Sequence, residues 1–192
     1  MFFVNRLKRF SNFAKNQSKL NRMKKLICLF SFLFAGSLLF AQEFNKIVSG
    51  PDKNANILIG RCNRDGLQME PFKAAYDKSY SNYIADENIV KQLKKKLHSV
   101  KILIVMGTWC GDSKEQVPAF YKILDDLKFS GSEIEIICVD RKKTAGDVEV
   151  SGLNIERVPT FIFYRDGREL GRIVEKPSST LEKNMLLILS QE

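Results

Sequence analysis

Two rhythms of apolar residues organise the second half of this chain. Ile102–Met106 is an unbroken apolar run, as expected of a strand covered on both faces. Val117, Phe120, Tyr121, Leu124 and Leu127 then recur at helical spacing and predict a helix with one buried stripe, kinked near its second turn by Pro118. Glu133–Val139 predicts a second central strand, whereas residues 141–154 carry no convincing period and predict a loop or short helix. Phe161–Tyr164, an Arg165-Asp166-Gly167 turn and Leu170–Val174 predict an antiparallel hairpin. Ser179 and Glu182 read as a capping box for a last helix bearing Leu181, Met185, Ile188 and Leu189.

Upstream, Asn56–Gly60 is a short strand candidate. Pro71 is placed to open a helix whose Phe72, Tyr76, Tyr80 and Tyr83 share one face, and we read that face as packing. Asp86 can cap a helix with Ile89, Val90, Leu93 and Leu97 on one side and Lys94, Lys95 and Lys96 near its end. These elements define an α/β chain with a mixed central sheet flanked by helices. Residues 42–84 form an N-terminal extension and residues 85–192 the main domain.

The chemistry gathers where the first apolar run stops. Trp109-Cys110-Gly111-Asp112-Ser113 passes directly into the helical pattern, which sets the Cys110 sulfur at a helix N-terminus. Unpaired backbone N–H groups and the helix dipole favour a thiolate there. The Asp112 carboxylate works in the opposite direction, and the Ser113 hydroxyl is a candidate donor to the sulfur. A Cys-x-x-Cys motif would have its second cysteine at position 113, where this chain has serine. Further on, Val158-Pro159-Thr160-Phe161 puts a proline at a strand entry, where its missing N–H is tolerated.

Trp-Cys-Gly, a proline eight residues after the cysteine, and Val-Pro-Thr-Phe before a hairpin fall in one order over residues 85–192. In this the chain resembles the thioredoxin family. The resemblance implies a thioredoxin-like fold, Cys110 as nucleophile, Trp109 beside it, Gly111, Asp112 and Ser113 supporting it, and Pro159 as a cis-proline facing the sulfur. It implies protein or small-molecule thiols and disulfides as partners and no cofactor. Two departures stand out: Ser113 replaces the resolving cysteine, and Ile104 occupies the place of the buried acid that family members carry six residues before the first cysteine. Both losses point away from dithiol cycling and toward a monothiol site with isomerase-like or holding chemistry. The backbone at Val158 is expected to hold a client as an added strand. A redox-inert binding module using the same groove is the alternative. An iron–sulfur carrier of the Cys-Gly-Phe-Ser type fits less well, because Asp112 stands in place of the phenylalanine.

Charge changes the picture only at the start of the chain. The net charge is +9, but residues 1–41 hold eight basic residues and no acid, leaving 23 basic against 22 acidic residues in the rest. No basic stripe with interleaved aromatics remains, which removes nucleic acid as a partner. Met23-Lys24-Lys25 followed by Leu26–Ala41 has the layout of a secretory signal, so we expect cleavage near Ala41, with Met23 an alternative start. The expected location is periplasmic or extracytoplasmic, with membrane attachment only through an uncleaved signal. The mature chain keeps Cys62, Cys110 and Cys138. Cys138 reads as buried and inert. Cys62, between Arg61 and Arg64, is a candidate resolving partner for Cys110. One histidine, His98, and no cysteine pair at ligand spacing argue against a metal site.

Overall fold

A computed structural model describes residues 43–50 and 55–191. The expected signal segment 1–41, with Cys28, lies outside the described residues. The strands are β1 (Lys46–Ser49), β2 (Asn56–Cys62), β3 (Val100–Met106), β4 (Ile134–Cys138), β5 (Thr160–Arg165) and β6 (Arg168–Val174). They form one sheet in the order β1-β2-β4-β3-β5-β6. Only β3 and β4 run parallel, with Ile104 opposite Ile136 and Met106 opposite Cys138. The other neighbours are antiparallel, so the sheet is mixed.

Helices α1 (Arg64–Leu67), α2 (Lys73–Asn82), α3 (Glu87–Leu93), α4 (Gly111–Leu127) and α5 (Leu181–Leu189) complete the fold. The alternation along β3 shows how the sheet is covered. Ile102, Ile104 and Met106 enter a core with Tyr76, Leu93, Val117, Phe120, Leu124, Leu181 and Met185, residues of the four longer helices. Val105 points the other way, into a smaller cluster with Ile137, Val139, Ala145 and Val158, against which Val148, Val150, Leu153 and Ile155 pack. The aperiodic stretch after β4 is therefore a covering loop, with a single 3₁₀ turn at Ser151–Leu153. Phe120 is fully buried against Phe161, ring centroids 4.5 Å apart, and fixes α4 over the centre of the sheet.

The described residues of the 42–84 stretch are built into this architecture. β2 pairs with β4, and β1 pairs with β2 as an edge strand. Arg64 ties α1 to α4 through a two-pronged bond to Asp125 at 2.8 and 2.7 Å, with Tyr121, Tyr80 and Tyr76 around its guanidinium. The expected aromatic face on α2 is thus packing, as read from its spacing.

Several local expectations need correction. Pro71 does not open α2. The Glu70–Pro71 bond is cis and lies in the turn before the helix, where the Phe72 and Lys73 amides both donate to the Met69 carbonyl. The cap of α5 is Thr180, one residue later than expected, and its hydroxyl accepts from the Lys183 amide at 3.4 Å. Glu182 cannot reach back to complete a capping box because its carboxylate is used elsewhere. It accepts from the Tyr83 hydroxyl at 2.6 Å and the Asp86 amide at 3.2 Å, and it is only 2% exposed. That one side chain fastens the α2–α3 connection to α5. Asp86 caps α3 as expected, accepting from Asn88 and Ile89. Pro118 is accommodated within the single helix α4.

Candidate functional site

The end of β3 and the start of α4 meet the loop before β5 at one point. Cys110 has extended backbone (φ −86°, ψ 130°) and is the N-cap of α4, but its side chain makes no capping bond to the first-turn amides. Its thiol donates to the Val158 carbonyl at 3.3 Å, and the Val158–Pro159 peptide bond is cis. Two motifs 48 residues apart in sequence are thereby brought into contact. Cys110 is half-buried, whereas Val158 and Pro159 are buried.

The neighbours are held from several directions. The Trp109 indole N–H donates to the Val139 carbonyl at 2.8 Å, and the Arg141 guanidinium lies 5.3 Å from the ring centroid. Gly107 makes room for that indole: a Cβ at this position would lie 2.6 Å from its Cε2 and Nε1 atoms. Asp112 pairs with Lys176 at 3.1 Å, which sets a positive charge against its carboxylate and brings the segment after β6 to the mouth of the site. Gly111 has open space where a Cβ would stand.

Ser113 is completely buried, and its hydroxyl accepts from the Gly107 amide at 3.2 Å. The expected Ser113 contact with the Cys110 sulfur is not made. The hydroxyl instead stitches α4 to the end of β3. Thr108 plays a similar part, its hydroxyl accepting from the Leu58 amide of β2 at 3.0 Å.

Cys62 is placed away from Cys110. It is the last residue of β2, 3% exposed, in the core beneath α4, with its thiol toward the Gly60 carbonyl. Cys110 instead packs on the cluster across the sheet. The arginines flanking Cys62 do not surround its sulfur, because Arg61 points out of the other face to Glu135 and Arg64 turns to Asp125. Cys138 is 0% exposed, and the neighbouring Cys62 thiol together with burial pushes its own thiol well above the ordinary range. Among the described residues no group of three metal-ligating side chains is present.

Gly107, Thr108, Arg141 and Lys176 were missed from the sequence. Gly107 alone carries a signal, as a glycine closing an apolar strand, which marks close approach. The others depend on contacts between distant segments.

A mixed sheet of six strands flanked by helices, with a cysteine at a helix N-cap against the chain that enters β5, is a thioredoxin-like α/β arrangement. A family model described as thioredoxin matches residues 67–186, and the chain belongs to the thioredoxin family. It is 35% identical over 91 residues to a TPR repeat-containing thioredoxin of Arabidopsis thaliana, a match covering 47% of this chain but 22% of that protein. It is 25% identical over 99 residues to a thioredoxin of Aspergillus fumigatus, covering 52% of this chain and 86% of the relative. The crystal structure of a Malassezia sympodialis thioredoxin superposes with a TM-score of 0.35 and 24% identity, over 52% of this chain and 85% of that one. Thiol–disulfide chemistry on protein thiols and disulfides is the class of function that this family suggests.

Proposed function

We propose that this is an exported monothiol member of the family, in which Cys110 alone forms mixed disulfides with protein clients. The observation that carries the reading is the Cys110 sulfur at the N-cap of α4, 3.3 Å from the Val158 carbonyl, with a buried serine in the resolving position. In the forward step the Cys110 thiolate attacks one sulfur of a client disulfide. A bond forms between Cys110 and that sulfur, the client S–S bond breaks, and the second client sulfur leaves as a thiolate. The chain before Pro159 gives an extended client a backbone to lie against. Return of the departed thiolate to the mixed disulfide completes an isomerisation with no net change in oxidation state. The same intermediate, left unresolved, holds the client.

Export is supported by the basic start and the apolar block ending at Ala41. Sequencing the N-terminus of protein from the extracytoplasmic fraction should find residues near 42 first. An intact Met1 or Met23 in that fraction would replace the cleaved signal with an anchor. For the chemistry, covalent adducts are compared on non-reducing gels for wild type and Cys110→Ser. The variant should lose the adducts while keeping its fold. If every adduct persists, Cys110 is not the nucleophile, and the groove is left with a non-covalent binding role.

A further inference from the structure

Strand β6 ends at Val174, and the two residues after it, Glu175 and Lys176, are both charged. Pro177 follows and has no N–H with which to carry the ladder on. Sheet register decides where the charged pair falls. Thr160 stands opposite Val174, so the next rung joins Glu175 to Pro159, and the Glu175 amide donates to the Pro159 carbonyl at 2.7 Å. The Glu175 carboxylate accepts from the Arg157 guanidinium at 2.6 Å. One residue thus grips the chain on both sides of Val158, whose carbonyl receives the Cys110 thiol.

Lys176 reaches the other half of the site. Its ammonium pairs at 3.1 Å with Asp112, in the first turn of α4 and two residues after Cys110. Glu175 holds φ at +61°, a left-handed conformation that residues other than glycine seldom adopt. Such a conformation persists where surrounding contacts impose it. Here they are Arg157 and Pro159 on one side and, through Lys176, Asp112 on the other. Arg157 is itself fixed by Thr160, whose hydroxyl donates to the Arg157 carbonyl at 2.6 Å. Two consecutive residues therefore join the loop that enters β5 to the helix that bears Cys110. The Arg157 and Lys176 side chains are 66% and 63% exposed, so their ion pairs add little to global stability. What they hold together is the seam between the two halves of the site.

We propose that Glu175 and Lys176 form a clasp that positions the Val158 chain against Cys110 for polypeptide clients. This rests on Cys110 being the nucleophile and on clients lying along Val158. A small disulfide needs only the sulfur. A polypeptide disulfide must also lie along Val158 while Cys110 attacks, so it alone depends on the register between loop and helix. Glu175 and Lys176 are positioning residues, which act through Val158 and Asp112.

The test uses the full chain with Cys28→Ser and two substrates that share one leaving group. The first is an uncharged peptide of about seven residues whose central cysteine is a 2-pyridyl disulfide, long enough to lie along an extended chain. The second is 2-hydroxyethyl 2-pyridyl disulfide. With either, Cys110 bonds to the alkyl sulfur, the S–S bond breaks, and the pyridine thiolate leaves, takes up a proton and is followed by absorbance as the thione. Each rate is divided by that of 2-mercaptoethanol with the same substrate, and the ratio of peptide to small disulfide is read. Freeing Asp112 alters the reactivity of Cys110 toward both substrates alike and cancels in this ratio. The wild-type ratio should exceed one. It should fall by about 2–5-fold in Glu175→Gln and in Lys176→Gln, the scale of an exposed ion pair. About 1 M salt should lower the wild-type ratio in the same way. The exchange of Arg157→Glu with Glu175→Arg should restore the ratio that Glu175→Arg alone loses. A ratio unchanged in both single variants, or both rates falling together, would overturn the clasp alone. A wild-type ratio of one would remove client pairing at Val158, and the clasp with it. Undiminished thione release by Cys110→Ser would overturn the nucleophile reading on which both depend.

Discussion

Gly107→Ala adds one methyl group where the Trp109 indole lies 2.6 Å away, well inside van der Waals contact. The backbone is not at fault, since Gly107 has no positive φ. The indole must therefore move by roughly 1 Å to reach the usual 3.5–4.0 Å separation. Overpacking of this kind costs about 1–3 kcal/mol. Displacement also strains the bond from the indole N–H to the Val139 carbonyl, a further 0.5–1.5 kcal/mol or so. For a domain of this size each kcal/mol lowers Tm by about 2–4 °C, so a fall of roughly 3–18 °C is expected. Trp109 is the chain's single tryptophan, and its emission reports the displacement without any label. The decisive measurement is the double mutant. Once Trp109→Ala has removed the indole, Gly107→Ala should cost nothing and should stabilise by about 0.4–1 kcal/mol through the unfolded chain. The same substitution then changes sign with its background. Equal destabilisation in both backgrounds, or unchanged tryptophan emission in Gly107→Ala, would refute the steric account.

Three further outcomes follow from residues around the site and its supports. Burial alone would raise the Glu182 carboxyl, but the Tyr83 hydroxyl, the amides of Glu182 and Asp86 and the Thr180 hydroxyl outweigh it and hold its pKa below the usual range. Its contribution is therefore complete above the ordinary carboxyl pKa and is lost as pH falls through the lower folded value. Glu182→Gln should flatten the acid limb of a Tm-against-pH curve, and an unchanged limb would contradict the assignment. Ser113→Cys should form a disulfide with Cys110 and raise insulin reduction above wild type; if mass spectrometry finds no such bond, position 113 is not the resolving position. Cys138→Ser should keep Cys110 adduct formation and lose about 1–3 kcal/mol in urea unfolding, as an unpaired hydroxyl does in an apolar core. Loss of adducts in that variant, with the fold intact, would show that Cys138 takes part.

What the sequence revealed follows the range of the forces involved. The apolar run of β3 and the stripe of α4 are local patterns, and both elements appear where the residues placed them. The contact between Cys110 and Val158 was legible only through the family pattern, because no periodicity links residues 48 positions apart. β1 was missed because a four-residue edge strand buries almost nothing and is defined by its partner. Cys62 misled because charged neighbours in sequence were taken as neighbours in space, whereas strand alternation turns Arg61 away from it. The α5 cap was misplaced by one residue because Ser179 and Thr180 offer the same hydroxyl, and the choice fell to Glu182, which the Tyr83 and Asp86 contacts draw inward.

The burial of Cys62 and Cys138 beside one another has a bearing on stoichiometry. Among the described residues it leaves each chain with a single sulfur to offer, at Cys110. On the proposed chemistry, and once Cys28 has left with the expected signal segment, such a chain would be monovalent: it would take one client at a time and could not bridge two. Under oxidising conditions that cleaved chain would pair once with a second copy through Cys110, and chain-to-chain growth through disulfides would stop at two.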